Sequence, residues 1–141
     1  MRIMAVDYGD SRTGIAVCDK DEMLASPLTV ITEYNFERCA EKVSQLAQKE
    51  KAGLIVVGHP KNMDGSEGER AQKCAEFAEK VRELSGIPIE LWDERRTTVT
   101  AHNYLNETNV RGKKRKAVVD AVAATIILET YLAFRKNRPQ I

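Results

Sequence analysis

Two hydrophobic periods follow one another along the chain, and their order is the strongest constraint on its fold. Three short apolar runs come first, at about 3–7, 13–18 and 26–31, separated by Gly9-Asp10-Ser11 and Asp19-Lys20-Asp21-Glu22. Apolar runs of this length joined by glycine, aspartate and serine are typical of strands with tight turns. We therefore expect the chain to begin as a three-stranded antiparallel meander.

Helical spacing of apolar residues replaces this pattern after the meander. It extends through 36–47, with Asn35 as the expected N-cap, and a continuous apolar run at 54–57 then predicts a buried strand. Ser66 and Glu69 have the spacing of a capping box, which predicts the start of a second helix. The backbone amides of Gly65 and Ser66 are then expected to be available at this helix start to bind a phosphate.

The remaining elements follow the same alternation. The second helical stripe covers 71–84 and is ended by Ser85-Gly86, before a strand at 88–92. A shorter helix is expected to begin near Thr97, and a long helix to run from about 114 to 134.

The resulting order, β-β-β-α-β-α-β-α-α, predicts an α/β fold. We expect a mixed five-stranded sheet, in which the antiparallel meander is joined to parallel strands through crossover helices on both faces. No linker interrupts the pattern, so residues 1–141 are expected to form a single domain.

The composition predicts a globular chain with reduced cysteines. It is 43% hydrophobic and 30% charged, which excludes a disordered or membrane-embedded chain. Its three cysteines, Cys18, Cys39 and Cys74, are odd in number and form no CxxC pair, which argues against a disulfide framework and a thiolate zinc site. The first apolar run is too short for a signal peptide, so we expect a cytoplasmic protein.

Carboxylates stand at the ends of two predicted strands. Asp7 closes the first apolar run, and the Asp93-Glu94 pair follows the last predicted strand. In open α/β sheets, sites form at the carboxyl ends of strands. Taken singly, however, Asp7 could cap a turn, and Asp93 and Glu94 could be ordinary exposed charges.

Asp120 is a stronger candidate because it is the only polar residue in the stretch 117–124. In a helix its neighbours at i−3, i+3, i+4 and i+7 are apolar: Ala117, Ala123, Ala124 and Ile127. Burying an unpaired carboxylate is costly, so a cation or strong donors should lie near it.

Carboxylates from three separate segments predict hard oxygen ligands for Mg²⁺ or Mn²⁺, with a pair of ions expected. Two such ions about 4 Å apart can activate water and stabilise the leaving oxygen in phosphodiester hydrolysis. Neither His59 nor His102 has a zinc-ligand spacing, and we expect both to be structural.

Charge is distributed unevenly along the chain, although the net charge is only +1. Residues 1–94 carry 18 acidic and 12 basic side chains, whereas residues 95–141 carry 3 and 10. A basic run precedes Asp120, at a helix start where the dipole disfavours positive charge: Arg111, Lys113, Lys114, Arg115 and Lys116. We interpret it, together with Arg95 and Arg96, as a nucleic-acid-binding surface, the alternative being a solvated loop.

Four ordered motifs together resemble one family over nearly the whole chain. They are VDYGDSRTG at 6–14, GHPKNMDGSEG at 58–68, DERRTT at 93–98 and VVDAVAA at 118–124. The chain resembles the YqgF family, also called RuvX, of Holliday junction resolvases and pre-rRNA nucleases. The resemblance implies a ribonuclease H-like fold and a metal site at Asp7, Glu94 and Asp120, and it adds Arg12 to the expected nucleic-acid-binding residues.

Two departures from the family pattern fall at the end of the fourth strand. The chain has Gly58-His59-Pro60 where the family more often has Gly-Leu-Pro, so His59 takes the place of the leucine. The best-known resolvases of this fold carry a carboxylate just after this strand, where this chain has Gly58-His59. The resemblance implies that Glu94 serves instead.

The resemblance leaves two substrates open. It ranks processing of the 5′ end of the pre-16S rRNA first and cleavage of four-way DNA junctions second, and symmetric junction cleavage would call for a homodimer. A noncatalytic nucleic-acid-binding module is a lower alternative. An actin-like ATPase, suggested by Asp7-x-Gly9 and Gly14, would need two such domains, and 141 residues make one.

Overall fold

The computed structural model describes residues 1–96 and 112–137, with side chains described throughout except at 96, 112–120 and 137. The elements in chain order are β1 (Ile3–Asp7), β2 (Arg12–Cys18), β3 (Ala25–Thr32), α1 (Phe36–Lys49), β4 (Leu54–His59), α2 (Glu69–Ser85), β5 (Ile89–Asp93), a 3₁₀ turn (Glu94–Arg96) and α3 (Gly112–Asn137).

The five strands form one mixed sheet in the order β3-β2-β1-β4-β5. β1 pairs antiparallel with β2, β2 antiparallel with β3, and β4 parallel with both β1 and β5. This confirms the predicted meander followed by parallel strands. The expected helix near Thr97 lies outside the described residues.

Each face of the sheet buries its own apolar core, as the predicted placement of helices requires. On one face, α1 and α2 cover residues of β1 and β4, with Phe77, Val43 and Val81 fully buried. On the other face, α3 covers the alternate residues of the same strands through Ile127, Leu128 and Tyr131. Period-two alternation in β1 and β4 therefore supplies both cores.

The helix ends show which local predictions hold. The side chain of Asn35 accepts a hydrogen bond from the amide of Arg38 at 2.9 Å, so the predicted N-cap of α1 is confirmed. The predicted capping box of α2 is wrong, because the N-cap is Gly68 and it makes no side-chain cap hydrogen bond. Ser66 lies in the preceding turn, where its hydroxyl donates to Asp64 at 2.6 Å.

An ion pair connects the C-terminal part of α3 to the β2–β3 hairpin. Glu22 accepts from Arg135 at 2.7 Å and from the N-terminal amine at 3.1 Å. The hydrogen bond from Arg135 is the main reason that the pKa of Glu22 is lowered. Across 1–96 and 112–137, no helix is both long enough and apolar enough to cross a bilayer.

We predict that Glu22→Gln lowers the free energy of unfolding by about 0.5–1 kcal/mol at pH 7. The folded-state pKa of Glu22 lies below its ordinary value of 4.5, so its contribution is complete above that value and is lost as pH falls through the lowered one. Urea unfolding at pH 7 and pH 3 measures this, with the exposed Glu41→Gln as control. A stability difference equally large at pH 3 would contradict the assignment.

Candidate functional site

Asp7 and Glu94 meet at the carboxyl edge of the sheet. Asp7 is the last residue of β1, and Glu94 is the first residue after β5. Both strands run parallel to β4, which separates them, so their carboxyl ends point the same way. The side chains of Asp7 and Glu94 are joined by a hydrogen bond. Two carboxyl groups this close repel each other when both are ionised, so the pair concentrates negative charge at this edge of the sheet.

Gly58 of β4 makes this meeting possible. A Cβ on Gly58 would overlap an oxygen of Glu94, would lie 2.9 Å from its carboxyl carbon, and would lie 2.8 Å from Cδ1 of Ile127. Real Cβ atoms do not come this close to other heavy atoms. Glycine at this position therefore leaves the space into which the carboxylate of Glu94 folds back across β4 toward Asp7.

Burial sets the electrostatics of the pair. Removal of the Glu94 carboxylate from water raises its pKa, and the hydrogen bond from Asp7 and the positive charge of Arg70 act in the opposite direction. A divalent cation would relieve the crowding of two carboxylates, and carboxylate oxygens are the donors that Mg²⁺ and Mn²⁺ prefer. The donor set thus fits such an ion. The described side chains hold no cluster of three metal-ligating residues.

Asp120 lies on the backbone of α3, and its side chain is outside the described set. It precedes Ile127 by seven residues, which is about two helical turns. Ile127 is the residue of α3 that packs beside Gly58 and the carboxyl group of Glu94.

Asp93 is engaged elsewhere. Its carboxylate accepts hydrogen bonds from Nε and an Nη atom of Arg95 at 2.9 and 2.5 Å. These bonds are the main reason that the pKa of Asp93 is lowered. Arg95 also donates to the backbone oxygen of Met63 at 3.4 Å, so it fastens the β4–α2 loop to the end of β5.

The structure places the other predicted nucleic-acid-binding residues in three groups. Arg12 is half-buried at the start of β2. Arg96 ends the 3₁₀ turn, with its side chain outside the described set. Arg111 lies outside the described residues, whereas the other members of the basic run belong to the first turns of α3, with their side chains not described: Lys113, Lys114, Arg115 and Lys116.

Arg70, in the first turn of α2, is a site residue that sequence reasoning missed. Its guanidinium donates to the backbone oxygen of Tyr8, directly after Asp7, and to Asp10 at 2.9 Å. Its charge also favours the ionised form of Glu94. No sequence motif identifies it. An arginine early in a helix is usually an ordinary surface residue, and the sequence does not show that the start of α2 lies beside the end of β1.

The β4–α2 loop does not present the phosphate-binding amides expected at its glycine and serine. The amide of Gly65 donates to the backbone oxygen of Asn62 at 2.8 Å, and the amide of Ser66 donates to Asp64 at 2.9 Å. That expectation was wrong, because α2 begins three residues after Ser66 and the loop uses both amides itself.

His59 is buried at the end of β4, with only 5% of its surface exposed. Its Nε2 lies 2.7 Å from a carboxylate oxygen of Glu67, although the approach falls outside hydrogen-bond geometry. His102 lies outside the described residues.

All three cysteines are buried and free in the structure. Burial raises the pKa of Cys74, the one that feels the charges of Asp7 and Glu94, to about 11. A thiol with so high a pKa is neutral and a poor metal ligand at pH 7.

Comparison with known proteins gives a consistent result. A family model described as "RuvX: Holliday junction resolvase" matches residues 1–134. A protein of Halothermothrix orenii named "Putative pre-16S rRNA nuclease" is 45% identical over 97% of this chain and 98% of its own length. A protein of Thermoanaerobacter pseudethanolicus with the same name is 42% identical over 98% of this chain and 100% of its own.

Solved structures resemble the fold. Thermus thermophilus RuvC in complex with a Holliday junction substrate superposes with a TM-score of 0.63 at 14% identity, covering 99% of this chain and 98% of that one. The Holliday junction resolvase of fowlpox virus superposes with a TM-score of 0.56 at 13% identity, covering 94% and 99%. These likenesses confirm the ribonuclease H-like, resolvase-type fold expected from the sequence.

We predict that Gly58→Ala destabilises the protein by about 1–3 kcal/mol, because the added methyl group overlaps the carboxylate of Glu94 and the side chain of Ile127. Gly53→Ala is the matched control, since its methyl group would meet only the flexible Met1 side chain, at 2.7 Å. Thermal and urea unfolding of both variants measure the difference. Equal stability of the two variants would show that Glu94 is not packed against β4.

Proposed function

Because the chain belongs to the RuvX family, we propose that residues 1–141 form a single nuclease domain, a divalent-metal-dependent hydrolase that processes the 5′ end of pre-16S rRNA in the cytoplasm. The observation that supports the proposal is the interacting pair of Asp7 and Glu94, half-buried at the carboxyl edge of the sheet where Gly58 leaves it room. Relatives at 42–45% identity bear the pre-16S nuclease name, which supports the choice of substrate.

The proposed metal ligands are Asp7, Glu94 and Asp120. Positions 120 and 127 are seven residues apart, about two helical turns, so they lie on the same side of α3. Ile127 packs beside Glu94. One or two bound Mg²⁺ or Mn²⁺ ions would supply an activated water and charge stabilisation at the leaving oxygen. The chain itself fixes Asp7 at a strand end and holds Glu94 away from water, so little reorganisation is required when the ion arrives.

The proposed nucleic-acid contacts flank this pair. Arg12, Arg95 and Arg96 lie at element ends on or after the strands that carry the carboxylates. Arg95 is held by Asp93 and would meet the backbone of the substrate as a fixed group. Lys113, Lys114, Arg115 and Lys116 precede Asp120 on α3, and we propose that together with Arg111 they bind phosphates of the substrate.

A second candidate, cleavage of four-way DNA junctions, is favoured by the description of the matching family. Such a substrate is symmetric, so this activity would require two copies of the site, and we associate it with a homodimer. The same carboxylates and basic residues would serve either substrate.

We predict that Asp7→Asn, Glu94→Gln and Asp120→Asn each lower Mg²⁺-dependent cleavage at least about 100-fold, because each removes one anionic ligand. Asp21→Asn, at an exposed turn between β2 and β3, is the control and should cut normally. Initial rates with a 5′-extended 16S rRNA fragment measure the effect, with circular dichroism to verify folding. Cleavage that survives the Asp7 change and also survives the Asp120 change would show that these carboxylates are not the ligands of a catalytic metal ion.

The two substrates are separated by presenting the rRNA fragment and a four-way DNA junction side by side, in Mg²⁺ and in Mn²⁺. We expect specific RNA cleavage that disappears in the Asp7→Asn protein. Cleavage of the junction alone would contradict the rRNA assignment in favour of the second candidate. Binding of both substrates without any cleavage, unaffected by Mg²⁺, would indicate a noncatalytic module.

We predict that replacing the five cations of the basic run with glutamine weakens binding and flattens its salt dependence. Five phosphate contacts contribute a slope of about −4.5 to a plot of log K against log salt on duplex DNA. The control removes five exposed cations of the hairpin and of α1 with its C-terminal turn: Lys20, Arg38, Lys42, Lys49 and Lys51. Filter binding at several salt concentrations measures the affinity of both variants. An unchanged slope in the basic-run variant would show that these side chains do not contact phosphates and are only a solvated surface.

A further inference from the structure

We propose that Arg70 is a positioning residue that holds Asp7 in its ligand geometry by fixing the backbone immediately after it. The role rests on the proposed function, since it concerns the same carboxylate pair. It is assigned from the contacts of one guanidinium group, which reaches from α2 to the turn between β1 and β2.

Asp7 stands where the sheet stops supporting β1 on one side. Its partner on β2 is Gly14, but the ladder to β4 ends one residue earlier, at the pair Val6 and Val57. The next backbone carbonyl, that of Tyr8, therefore needs a hydrogen-bond donor from outside the sheet. Arg70 provides it by donating to that oxygen.

The same guanidinium holds the turn at a second point. It donates to Oδ1 of Asp10 at 2.9 Å, two residues beyond the Tyr8 carbonyl. The planar fork of arginine can make both bonds at once, whereas the single ammonium of a lysine cannot reproduce the fork. The two contacts therefore constrain the direction in which the chain leaves Asp7.

The ring of Tyr8 completes the constraint. It is 5% exposed and stacks on Phe77 with centroids 4.1 Å apart, and Phe36 meets its edge at 6.0 Å. The guanidinium of Arg70 lies 5.4 Å from the centroid of this ring. Tyr8 is thus held at its ring by the core and at its carbonyl by Arg70, so the residue before it has little freedom.

Lys73 provides a matched control one helical turn away. Its ammonium lies 3.1 Å from the same oxygen of Asp10 and 6.0 Å from the centroid of the same ring. Among the described contacts of Lys73 there is none to the Tyr8 carbonyl. Lys73→Gln therefore removes the positive charge beside Asp10 and leaves intact the contact of Arg70 with the Tyr8 carbonyl.

The test compares Arg70→Lys with Lys73→Gln. We expect Arg70→Lys, which keeps the charge, to lower kcat about tenfold or more, with KM changed less than about twofold. Mn²⁺ affinity of the protein alone, measured by electron paramagnetic resonance, should fall about tenfold. Lys73→Gln should leave both quantities within about twofold of the unaltered protein, and both variants should keep its melting temperature to within a few degrees.

Wild-type kcat and Mn²⁺ affinity in Arg70→Lys would overturn the proposal. So would equal losses in the two variants, which would assign the effect to the charge beside Asp10. A raised KM with unchanged kcat would show that Arg70 contacts substrate instead. If the unaltered protein cleaves neither substrate, the proposed function fails, and the Mn²⁺ affinities alone still decide the role of Arg70.

Discussion

The carboxylate of Glu94 folds against the backbone of β4 at a point where any side chain on residue 58 would occupy the same space. The rest of the site depends on this approach. It brings a residue from beyond β5 across the intervening strand to Asp7 on β1, and it packs the same carboxyl group close to Ile127 of α3. Three elements distant in sequence therefore meet at one glycine. A larger residue there would separate the two carboxylates and disturb the packing of the helix that carries Asp120.

This arrangement concentrates negative charge at a half-buried edge of the sheet, which is costly unless a cation offsets it. Partial burial raises the pKa of Glu94, and its side chain interacts with that of Asp7. A divalent ion would offset the charge of both carboxylates and use their oxygen atoms as ligands. Arg70 contributes the nearby positive charge and fixes the chain after Asp7. Among the cations proposed to meet substrate, Arg95 is already held in place by Asp93.

Much of the fold could be read from the sequence because its causes are local. The meander follows from apolar runs and turn residues, and the start of α1 follows from Asn35. The capping box failed because Ser66 binds Asp64 within its own turn, a competing local contact that spacing does not reveal. Their positions at strand ends indicated Asp7 and the Asp93-Glu94 pair. Only the structure shows which of residues 93 and 94 faces Asp7, because Asp93 instead accepts hydrogen bonds from Arg95. Arg70 could not be predicted, since its role arises from the placement of α2 beside the β1–β2 turn.

The proposed metal site requires Asp7 and Glu94 to hold a divalent cation together at the edge of the sheet. Anomalous scattering from Mn²⁺ in crystals of the protein would locate such an ion. We expect a peak in contact with carboxylate oxygens of both residues, beside Gly58, and its loss in crystals of the Glu94→Gln protein. A Mn²⁺ ion bound elsewhere, or bound equally well without the Glu94 carboxylate, would contradict the account.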